Sequence, residues 1–424
     1  MNRLIPLFCV VMCAAQEPSR EQVTTAMEKA AKYFRSISTE GGYLWRYSAD
    51  LHVRYGETSA TATQIWVQPP GTPAVGMSLL NAYRATKSAL FLEAAQAAGR
   101  ALLRGQLESG GWDYVIEFDP ALRWKWSYRG SGNGNKNIST LDDDNSQSAL
   151  RFLMELNREK PDPAVKSAVD YGLRTLLDHQ YPNGAWPQRF PAPKEGYYGY
   201  YTFNDHTISD TVDTLILAWE LYQDHRHLNA VRKAGDFIIE AQQKEPQPVW
   251  AQQYDLNMRP AWARKFEPPS VCSSESAGVL RILLRIHQAA RDDKYLRPIP
   301  AAVEWFRRSS IGPGRWARFY ELGTNRPLYF TRKYELTYDA SDLPTHYSFQ
   351  GPNGVESAIA LWERYQKTRR LPEAERGRPD AARVRQILAA MDGQGRWVIN
   401  GEIQSRVFLA NLNALAAFIE GQRP

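Results

Sequence analysis

Cysteine is scarce in this sequence. Two of the three cysteines, Cys9 and Cys13, fall within positions 1–16, so Cys272 is the only one in the remainder of the chain. If positions 1–16 are removed from the mature protein, the one remaining cysteine can form neither an intrachain disulfide nor a thiolate metal site. Stability must therefore come from a hydrophobic core, which a chain of 424 residues with 43% hydrophobic residues is large enough to form.

Several functional motifs are also missing. The seven histidines include no HExxH motif, no Gly-x-Ser-x-Gly elbow is present, and no GxGxxG or GxxxxGK loop stands between a strand and a helix. These absences argue against a zinc protease, a serine hydrolase and a nucleotide cofactor. The net charge is +6, but the basic residues are dispersed. A cleft for an acidic or sugar-like partner therefore fits better than a nucleic-acid interface.

Residues 1–16 have the composition of an export signal. Arg3 is followed by an apolar stretch over residues 4–12 and by Ala14 and Ala15. Such a stretch is too short to span a bilayer. We predict a signal peptide at residues 1–16 and one catalytic domain over 17–424, with a core at about 110–350. The protein is expected to be a secreted or periplasmic bacterial monomer with no membrane or nucleic-acid partner.

Six tryptophans at glycine- or proline-rich corners mark a repeat. Their spacing is roughly even, and each interval is long enough for two helices and a long loop. The six are Trp45, Trp112, Trp186, Trp250, Trp316 and Trp397. We interpret them as packing residues at helix ends, where glycine provides left-handed turns.

Between these corners, apolar residues recur at helical spacing. The predicted helices are 21–37, 75–85, 90–107, 146–156, 164–179, 208–222, 228–243, 276–290, 295–308, 354–365, 381–391 and 405–419. Strand signals are few, for example at 334–338. About six antiparallel pairs, with the first helix free to meet the last, predict an all-α fold of the α/α toroid type. The long loops at 115–145, 187–206, 251–272 and 317–352 would then converge on one mouth.

Two acidic loops precede predicted helices. Asp142, Asp143 and Asp144 stand before Asn145, and Asp205 lies in the sequence Asn-Asp-His one unit later. Helix capping explains one carboxylate at a helix start, but three adjacent carboxylates repel one another unless a cation neutralises them. Both capping and cation binding are open at this point. Oxygen-rich sites of this kind suit calcium.

The two later loops are rich in arginine and aromatic residues. The first contains Arg264 and Lys265, and the second contains Arg318 and Arg332. Surface solvation accounts for many single arginines. Guanidinium groups among aromatic rings also form a typical site for a carboxylated sugar chain, because the planar fork pairs with carboxylates while the rings stack on pyranose faces.

These motifs resemble the pectate lyases of polysaccharide lyase family ten. The shared stretches are TLDDDNSQSALRFL, YPNGAWPQRFP, YYTFNDH, WAQQYDLNMRPAWARKFEPPSVCSSES and RWARFYELGTNRPLYFTRK, all within about 140–335. The resemblance implies an α/α toroid, calcium, and eliminative cleavage of α-1,4-linked polygalacturonate. Two positions depart from the family pattern, because His206 follows Asp205 where a second acid is common and Asp143 stands where asparagine is common.

The resemblance also implies residue roles. Arg264 matches the catalytic base, and Asp205 matches an acidic calcium ligand. Asp142 matches a carboxylate near the scissile bond and the metal, so we predict that it is both a catalytic residue and a metal ligand. Arg318 and Arg332 match arginines that bind substrate carboxylates, and we add Asp143 and Lys265 as substrate-binding residues. A guanidinium is normally always protonated. We therefore expect a dense local cation field around Arg264 and an activity that rises above neutral pH.

Three other functions are compatible with the residues. A hydrolase on the same fold would use Asp142 or Asp144 with Asp205 as an inverting pair about 6.5–9.5 Å apart. A polyuronate-binding protein would bind without turnover. An isoprenoid cyclase is suggested only by the run of three aspartates. The sequence leaves open the methylation preference, endo or exo action, and whether residues 40–75 cover the mouth or close the ring.

Overall fold

The structure of the protein is a computed structural model that describes residues 17–131, 134–372 and 377–422. The signal peptide predicted at residues 1–16 lies outside the described residues. The helices of the described part are α1 Arg20–Ser36, α2 Thr72–Thr86, α3 Ala89–Gly105, α4 Pro120–Arg123, α5 Asn145–Glu159, α6 Pro163–Asp178, α7 Thr207–Tyr222, α8 His225–Ala241, α9 Ser273–Ala290, α10 Ile299–Arg308, α11 Val355–Thr368, α12 Ala381–Ala389 and α13 Ser405–Glu420.

The helices pack as an α/α toroid, which confirms the predicted fold class. Helices α2, α5, α7, α9 and α11 contact one another in that order, and α13 packs on α2. The partner helices α3, α6, α8, α10 and α12 lie against α2, α5, α7, α9 and α13, respectively. Helix α1 contacts both α13 and α3. The first and last helices therefore meet, and closure buries apolar surface that an open array would expose at its ends.

One predicted helix is interrupted. The pattern over 295–308 predicts one continuous helix, but the chain forms a 3-10 turn at Asp293–Leu296 and α10 starts only at Ile299. Pro298 lies between the two and has no amide hydrogen to continue the helical hydrogen bonds. In the described part of the chain, no helix is both long and apolar enough to cross a membrane.

Five of the six corner tryptophans have one shared role. The indole N–H groups donate to main-chain carbonyls at the end of the preceding partner helix, at 2.7–2.9 Å, in the pairs Trp112–Leu102, Trp186–Leu176, Trp250–Ile238, Trp316–Phe306 and Trp397–Ile387. The last carbonyls of a helix have no intrahelical donor, so each indole satisfies one of them. The predicted packing role at helix ends is thereby confirmed for these five.

Trp45 departs from this pattern. Its indole donates to the Gln68 carbonyl instead of to a helix end. Tyr43 occupies the equivalent position, because its amide donates to Thr72 Oγ1 at 2.9 Å just as the Trp112 amide donates to Ser146 Oγ at 3.0 Å. The prediction of Trp45 as a corner residue is therefore wrong, because a tyrosine fills that place in the first unit and the tryptophan follows it.

A glutamine at each of three corners is a repeat feature that the tryptophan spacing did not reveal. The Nε2 atoms of Gln106, Gln180 and Gln242 each donate to a carbonyl of their own corner and to one in the next partner helix or just before it, at 2.7–3.0 Å. One amide thus joins two adjacent units of the ring through buried or partly buried carbonyls. Such bonds hold the corners in register.

Sixteen short strands lie in the connecting segments of the described chain. They are β1 Arg46–Ser48, β2 Arg54–Tyr55, β3 Gln64–Trp66, β4 Val115–Glu117, β5 Ser139–Thr140, β6 Arg189–Phe190, β7 Tyr201–Thr202, β8 Gln253–Tyr254, β9 Ser270–Cys272, β10 Trp316–Ala317, β11 Phe319–Glu321, β12 Pro327–Phe330, β13 Leu336–Thr337, β14 Gln350–Gly351, β15 Val398–Ile399 and β16 Glu402–Gln404. The strand signal at 334–338 corresponds to β13. The longest of these strands, β12, is too short for a periodic sequence signal.

The strand pairs fasten neighbouring loops together at the mouth. The sheet orders are β15-β16-β1-β2, β13-β12-β11-β9, β10-β14, β3-β4, β5-β6 and β7-β8, and all pairs named here are antiparallel. Strand β1 joins β16 from the far end of the chain, so residues 40–75 do help to close the ring.

Candidate active site

Two loops at the mouth repeat one backbone shape. Strand β5 leads into a 3-10 turn at Asp142–Asp144 before α5, and β7 leads into a 3-10 turn at Asn204–His206 before α7. In each turn the second and third residues are left-handed, with φ values of 48° and 61° in the first loop and 48° and 59° in the second. Asp143 and Asp205 therefore occupy equivalent positions.

This backbone shape is strained for residues other than glycine. Left-handed conformations cost L residues free energy and are retained mainly where the surroundings demand them. Asn353 and Gly354 adopt the same pair of conformations before α11, with φ values of 46° and 71°. In that third copy glycine relieves half of the strain, whereas the two acidic loops contain four non-glycine residues. The strain is thus concentrated where the carboxylates lie.

The capping interpretation of these carboxylates is wrong for the described structure. Neither Asp144, which precedes α5, nor His206, which precedes α7, makes a side-chain capping hydrogen bond. Asp142, Asp143 and Asp205 instead converge, each with a carboxylate oxygen within 4.8 Å of the others. These three residues are called the acidic cluster below.

Polar side chains hold two members of the acidic cluster. Asp142 accepts hydrogen bonds from Tyr114 Oη at 2.5 Å and from Gln188 Nε2 at 2.7 Å. Asp143 accepts one from Gln68 Nε2 at 2.8 Å. The donors come from three different segments of the chain. The carboxylates are thereby kept close together despite their mutual repulsion.

Repulsion and burial are visible in the electrostatics of the acidic cluster. Burial, followed by the charges of Asp142 and Asp143, raises the pKa of Asp205 to about 8. Burial, followed by the Asp142 charge, raises the pKa of Asp143 to about 6. A carboxyl whose charged form is disfavoured by like charges gains most from a bound cation.

Asp144 is excluded from the acidic cluster. Both of its carboxylate oxygens accept hydrogen bonds from Arg151 Nη2, at 2.6 and 2.5 Å. Arg151 also donates to Thr214 Oγ1 at 2.9 Å. The run of three aspartates therefore divides, with two facing the mouth and one held by a structural ion pair. The left-handed backbone of Asp143 and Asp144 produces this division, because it turns adjacent side chains in different directions.

Arg264 lies beside the acidic cluster, with Nη2 at 3.7 Å from Asp205 Oδ2. A closer partner is Glu267, whose carboxylate accepts from Arg264 Nη2 at 2.7 Å and from the Arg264 amide at 3.0 Å. Burial disfavours the charged guanidinium, but the hydrogen bond and charge of Glu267, followed by the charge of Asp205, outweigh burial and raise the pKa of Arg264.

The expected cation field around Arg264 is therefore wrong for the protein side chains alone. Its nearest charged partners are carboxylates, because Glu267 follows it closely within the same tight loop and Asp205 faces it across the mouth. A carboxylate partner stabilises the charged guanidinium. No pattern in the sequence indicated that Glu267 points back at Arg264.

A chain of contacts joins Arg264 to Arg318. Tyr347 Oη donates to Glu267 Oε1 at 3.1 Å, and the Arg318 guanidinium carbon lies 4.6 Å from the Tyr347 ring centroid. Arg318 also pairs with Glu275 at 2.9 Å, and 18% of its side chain is exposed. The two arginines are thus held by one network of buried anions and an aromatic ring.

The other two cations predicted to bind substrate, Lys265 and Arg332, contact residues outside the acidic cluster. Lys265 Nζ lies 3.6 Å from the Tyr334 ring centroid. Arg332 pairs with Asp342 at 3.0 Å and is 71% exposed. Neither has a direct contact with the acidic cluster in the described part of the chain. Their predicted binding of substrate carboxylates stays a prediction.

Several residues of the site were not singled out from the sequence. Gln188 and Glu267 fall inside the motif stretches quoted above, so the signal was present but attached to their neighbours. Gln68, Tyr114 and Tyr347 are single polar or aromatic residues in loops, without any spacing pattern. Gln68 also shows that residues 40–75 reach the mouth as well as close the ring, because its side chain contacts Asp143.

Known protein families and solved structures that resemble this chain are polysaccharide-degrading enzymes for the most similar part of the sequence. The family model for pectic acid lyase matches residues 106–315. A family 10 polysaccharide lyase from Cellvibrio cellulosa is 26% identical, with a TM-score of 0.53, and the match covers 70% of this chain and 96% of that one. An aspartate-to-alanine mutant of a family 10 polysaccharide lyase from the same organism, solved in complex with trigalacturonic acid, matches at 26% identity and a TM-score of 0.53 over 68% of this chain and 98% of that one.

A D-mannose isomerase structure matches at 12% identity and a TM-score of 0.52, over 95% of this chain and 98% of that one, which shows similarity of fold alone. No curated protein sequence matches the chain. The fold and the site thus define an enzyme of the polysaccharide lyase class on an α/α toroid. Residues 106–315 match the pectic acid lyase family model, which confirms the resemblance drawn from the motifs.

Proposed function

We propose that the protein cleaves α-1,4-linked polygalacturonate by β-elimination, with Arg264 as the base and calcium at the acidic cluster. The observation that supports this most is the convergence of Asp142, Asp143 and Asp205 beside Arg264. All four residues lie within the segment matched by the pectic acid lyase family.

The donor atoms of the acidic cluster suit calcium. Three carboxylates within 4.8 Å offer only oxygen ligands, and burial together with the Asp142 charge raises the pKa of Asp143 and of Asp205. The buried amide oxygen of Asn204, next to Asp205, has no hydrogen-bond partner in the described part of the chain. Calcium accepts carboxylate and amide oxygens in irregular geometry. We propose Asp205 and Asp142 as ligands and add Asp143 to them.

The bond changes of the elimination are balanced by the substrate, one arginine and solvent water. A neutral Arg264 takes the proton from C5 of a galacturonate, the electron pair of that C–H bond forms the C4–C5 double bond, and the C4–O bond breaks. The departing oxygen takes a proton from water, which releases the adjoining sugar, and Arg264 then returns its proton to solvent. When bound, calcium would act as a Lewis acid that withdraws charge from the carboxylate next to C5. Because Arg264 has a raised pKa in the free protein, its neutral form is favoured by alkaline solution, and the rate is expected to rise with pH.

The remaining residues position the sugar chain. Arg318 is held on Tyr347 and Glu275, so its guanidinium is pre-oriented for a neighbouring substrate carboxylate. Lys265 and Arg332 supply further positive charge around the same mouth, and we assign them to more distant uronates. Glu267 fixes the Arg264 side chain through two hydrogen bonds and so defines where the base lies.

The hydrolase alternative loses support from the same geometry. An inverting pair needs about 6.5–9.5 Å between carboxyl groups to admit a water molecule. Oxygens of Asp142 and Asp205 lie within 4.8 Å, and Asp144 is engaged by Arg151. The acidic cluster therefore favours a shared cation over an inverting acid–base pair.

Product chemistry tests the proposal directly. Purified protein is given polygalacturonate at pH 9 with calcium, and the absorbance of the unsaturated product is followed in the near ultraviolet, then followed again with excess chelator. We expect a rise that chelator abolishes and that Arg264→Ala and Asp205→Ala both remove. Arg307→Ala, an exposed arginine on α10, serves as the matched control and should retain the rate. New reducing ends without the absorbance would identify a hydrolase, and binding without turnover would identify a binding protein.

We further propose that the enzyme is exported and acts as a monomer. The basis is the composition of residues 1–16 described above. Mass spectrometry of the secreted protein tests it, since cleavage should remove this segment. Size-exclusion chromatography with light scattering should give one chain of less than the 48.3 kDa of the full sequence.

A further inference from the structure

A groove of about 940 Å³ runs along the outer wall of the toroid, between α6 and α8. Pro163, at the start of α6, and Tyr222, at the end of α7, both line it. The acidic cluster lies at the start of α5 and α7, and α7 ends on the opposite side of the ring. The groove therefore extends away from the mouth and is separate from the candidate active site.

The groove carries an excess of positive charge. Four cationic side chains and two carboxylates line it, so the net charge of these six side chains is +2. The cations are Arg129, Lys166, Arg174 and Arg226, and the carboxylates are Asp170 and Asp224. Lys166 pairs with Asp170 at 2.5 Å and Arg226 with Asp224 at 2.7 Å. Within the described residues, Arg129 and Arg174 have no carboxylate partner, although Arg129 donates to Ser167 Oγ at 2.9 Å. The charge of these two guanidinium groups is thus not neutralised and can attract an anion.

Both of these guanidinium groups contact the same aromatic ring, that of Tyr171. The guanidinium carbon of Arg129 is 4.5 Å from the Tyr171 ring centroid, and that of Arg174 is 5.1 Å from it. The Tyr171 hydroxyl donates to the Glu108 carbonyl at 2.5 Å. The ring is therefore fixed, and it holds two positively charged forks in place at low entropic cost.

Two buried polar atoms along the groove lack partners. His227 is 5% exposed, and its Nδ1 atom is buried without a hydrogen-bond partner in the part of the chain that the structure describes. The hydroxyl of Tyr222 is buried and unpartnered in the same way. Buried polar groups in proteins are usually hydrogen-bonded, so an orphaned pair beside a groove indicates a ligand or ordered water. This observation is independent of the surface charge.

We propose that this groove is a second, non-catalytic binding site for a carboxylated oligosaccharide, with the uronate carboxylates on Arg129 and Arg174. The choice of a polyuronate rests on the function proposed above. The volume lies within the range of about 300–1,000 Å³ typical of ligand sites. Such a site holds a long chain on the outer wall while the mouth engages another segment.

The repeat provides a matched control for the test. Arg100 on α3 precedes the corner residue Trp112 by the same interval as Arg174 on α6 precedes Trp186, and both arginines are exposed. The two arginines therefore occupy equivalent positions in successive units, but only Arg174 lines the groove. Arg174→Ala and Arg100→Ala remove the same atoms from equivalent places.

The experiment measures binding of trigalacturonate in chelator, by calorimetry, with Asp205→Ala as the background to weaken the mouth. We expect Arg174→Ala to lower the groove affinity about tenfold, the loss of one charge-assisted contact, while Arg100→Ala leaves it unchanged. The His227 ring signals in NMR spectra should shift on titration. Galactotriose, which is neutral, should neither bind the groove nor shift those signals.

Equal affinity in the Arg174→Ala and Arg100→Ala proteins would overturn the proposal, as would unmoved His227 signals at saturation. Shifts of His227 by galactotriose as large as those by trigalacturonate would overturn the carboxylate assignment. Elimination by the parent protein is measured separately. Elimination without groove binding would refute only this inference, whereas groove binding without elimination would refute the lyase function and leave the site.

Discussion

The acidic cluster should make the calcium-free protein less stable as pH rises, and Asp205→Asn should remove the contribution of Asp205 to that loss. In the folded protein the pKa of Asp205 is raised to about 8 from 3.8, so the carboxyl stays protonated there while the unfolded chain ionises. The unfolded state then binds fewer protons than the folded state between these pH values. The free energy of unfolding therefore falls as pH rises from 4 towards 8 and levels off above it.

Burial and like charge both oppose ionisation of Asp205, and the structure gives the size of the part that is due to charge. Two unit charges at the 4.8 Å limit of the acidic cluster repel by about 3 kcal/mol at an effective dielectric constant of about 20. An asparagine at position 205 keeps the shape and still accepts from Asn204, which donates to Asp205 at 2.5 Å. At pH 8 in chelator we expect Asp205→Asn to be about 2–3 kcal/mol more stable than the parent.

Calcium should invert this order. A cation that binds only the folded parent at 100 times its dissociation constant adds about 2.7 kcal/mol, and the variant lacks a ligand for it. The assay is urea unfolding followed by tryptophan fluorescence at pH 5 and pH 8, in chelator and in calcium. Asp178→Asn, an exposed aspartate at the end of α6, is the control and should match the parent throughout.

Three results would refute this reasoning. The parent in chelator could show the same free energy of unfolding at pH 5 and pH 8, which would mean that the carboxylates do not repel in the folded state. The variant could be less stable than the parent at pH 8 in chelator. Calcium could also stabilise both proteins equally, which would place the cation elsewhere.

Further predictions concern the supports of the site and the corners. Glu267→Gln removes the main anion beside Arg264, which lowers the raised pKa of that arginine, so the rising limb of the pH–rate profile should move to lower pH; a uniform loss of rate with no shift would contradict the assignment. Gln68→Ala removes a donor to the acidic cluster and should weaken calcium binding several-fold in calorimetry. Trp186→Phe leaves a buried carbonyl of α6 unpaired and should cost about 1–3 kcal/mol of stability in urea unfolding, whereas the exposed Trp124→Phe should cost less than about 0.5 kcal/mol.

Much of the fold was predictable because helices are local. Apolar residues at three- and four-residue spacing located the predicted helices, with ends that differ from the observed ones by a few residues. The 295–308 segment failed at Pro298, where a local rule about proline was available and was outweighed by the apolar pattern. The strands could not be predicted, since such short segments carry no period and their pairing depends on loops that meet only after the ring closes.

The candidate site likewise has residues that the sequence predicted and residues that only the structure revealed. The motif resemblance singled out Arg264, Asp205 and Asp142, and the structure brings these three side chains to one place. The structure also places Asp143 in the acidic cluster, whereas Asp144 forms an ion pair with Arg151. This difference depends on two successive left-handed residues, which the sequence pattern does not reveal. The carboxylate environment of Arg264 was likewise visible only in three dimensions.

By itself, the sequence determined the helix pattern, the repeated corners and the types of residue available for chemistry, because these depend on spacing along the chain. Only the tertiary structure decided which carboxylates meet, which cations are paired and which buried atoms lack partners. Charges interact through distances of a few ångströms, and contacts such as that between Gln68 and Asp143 join segments far apart in the chain. The outer groove is the plainest case, since its lining residues come from α6, the end of α7, the start of α8 and the loop that contains Arg129.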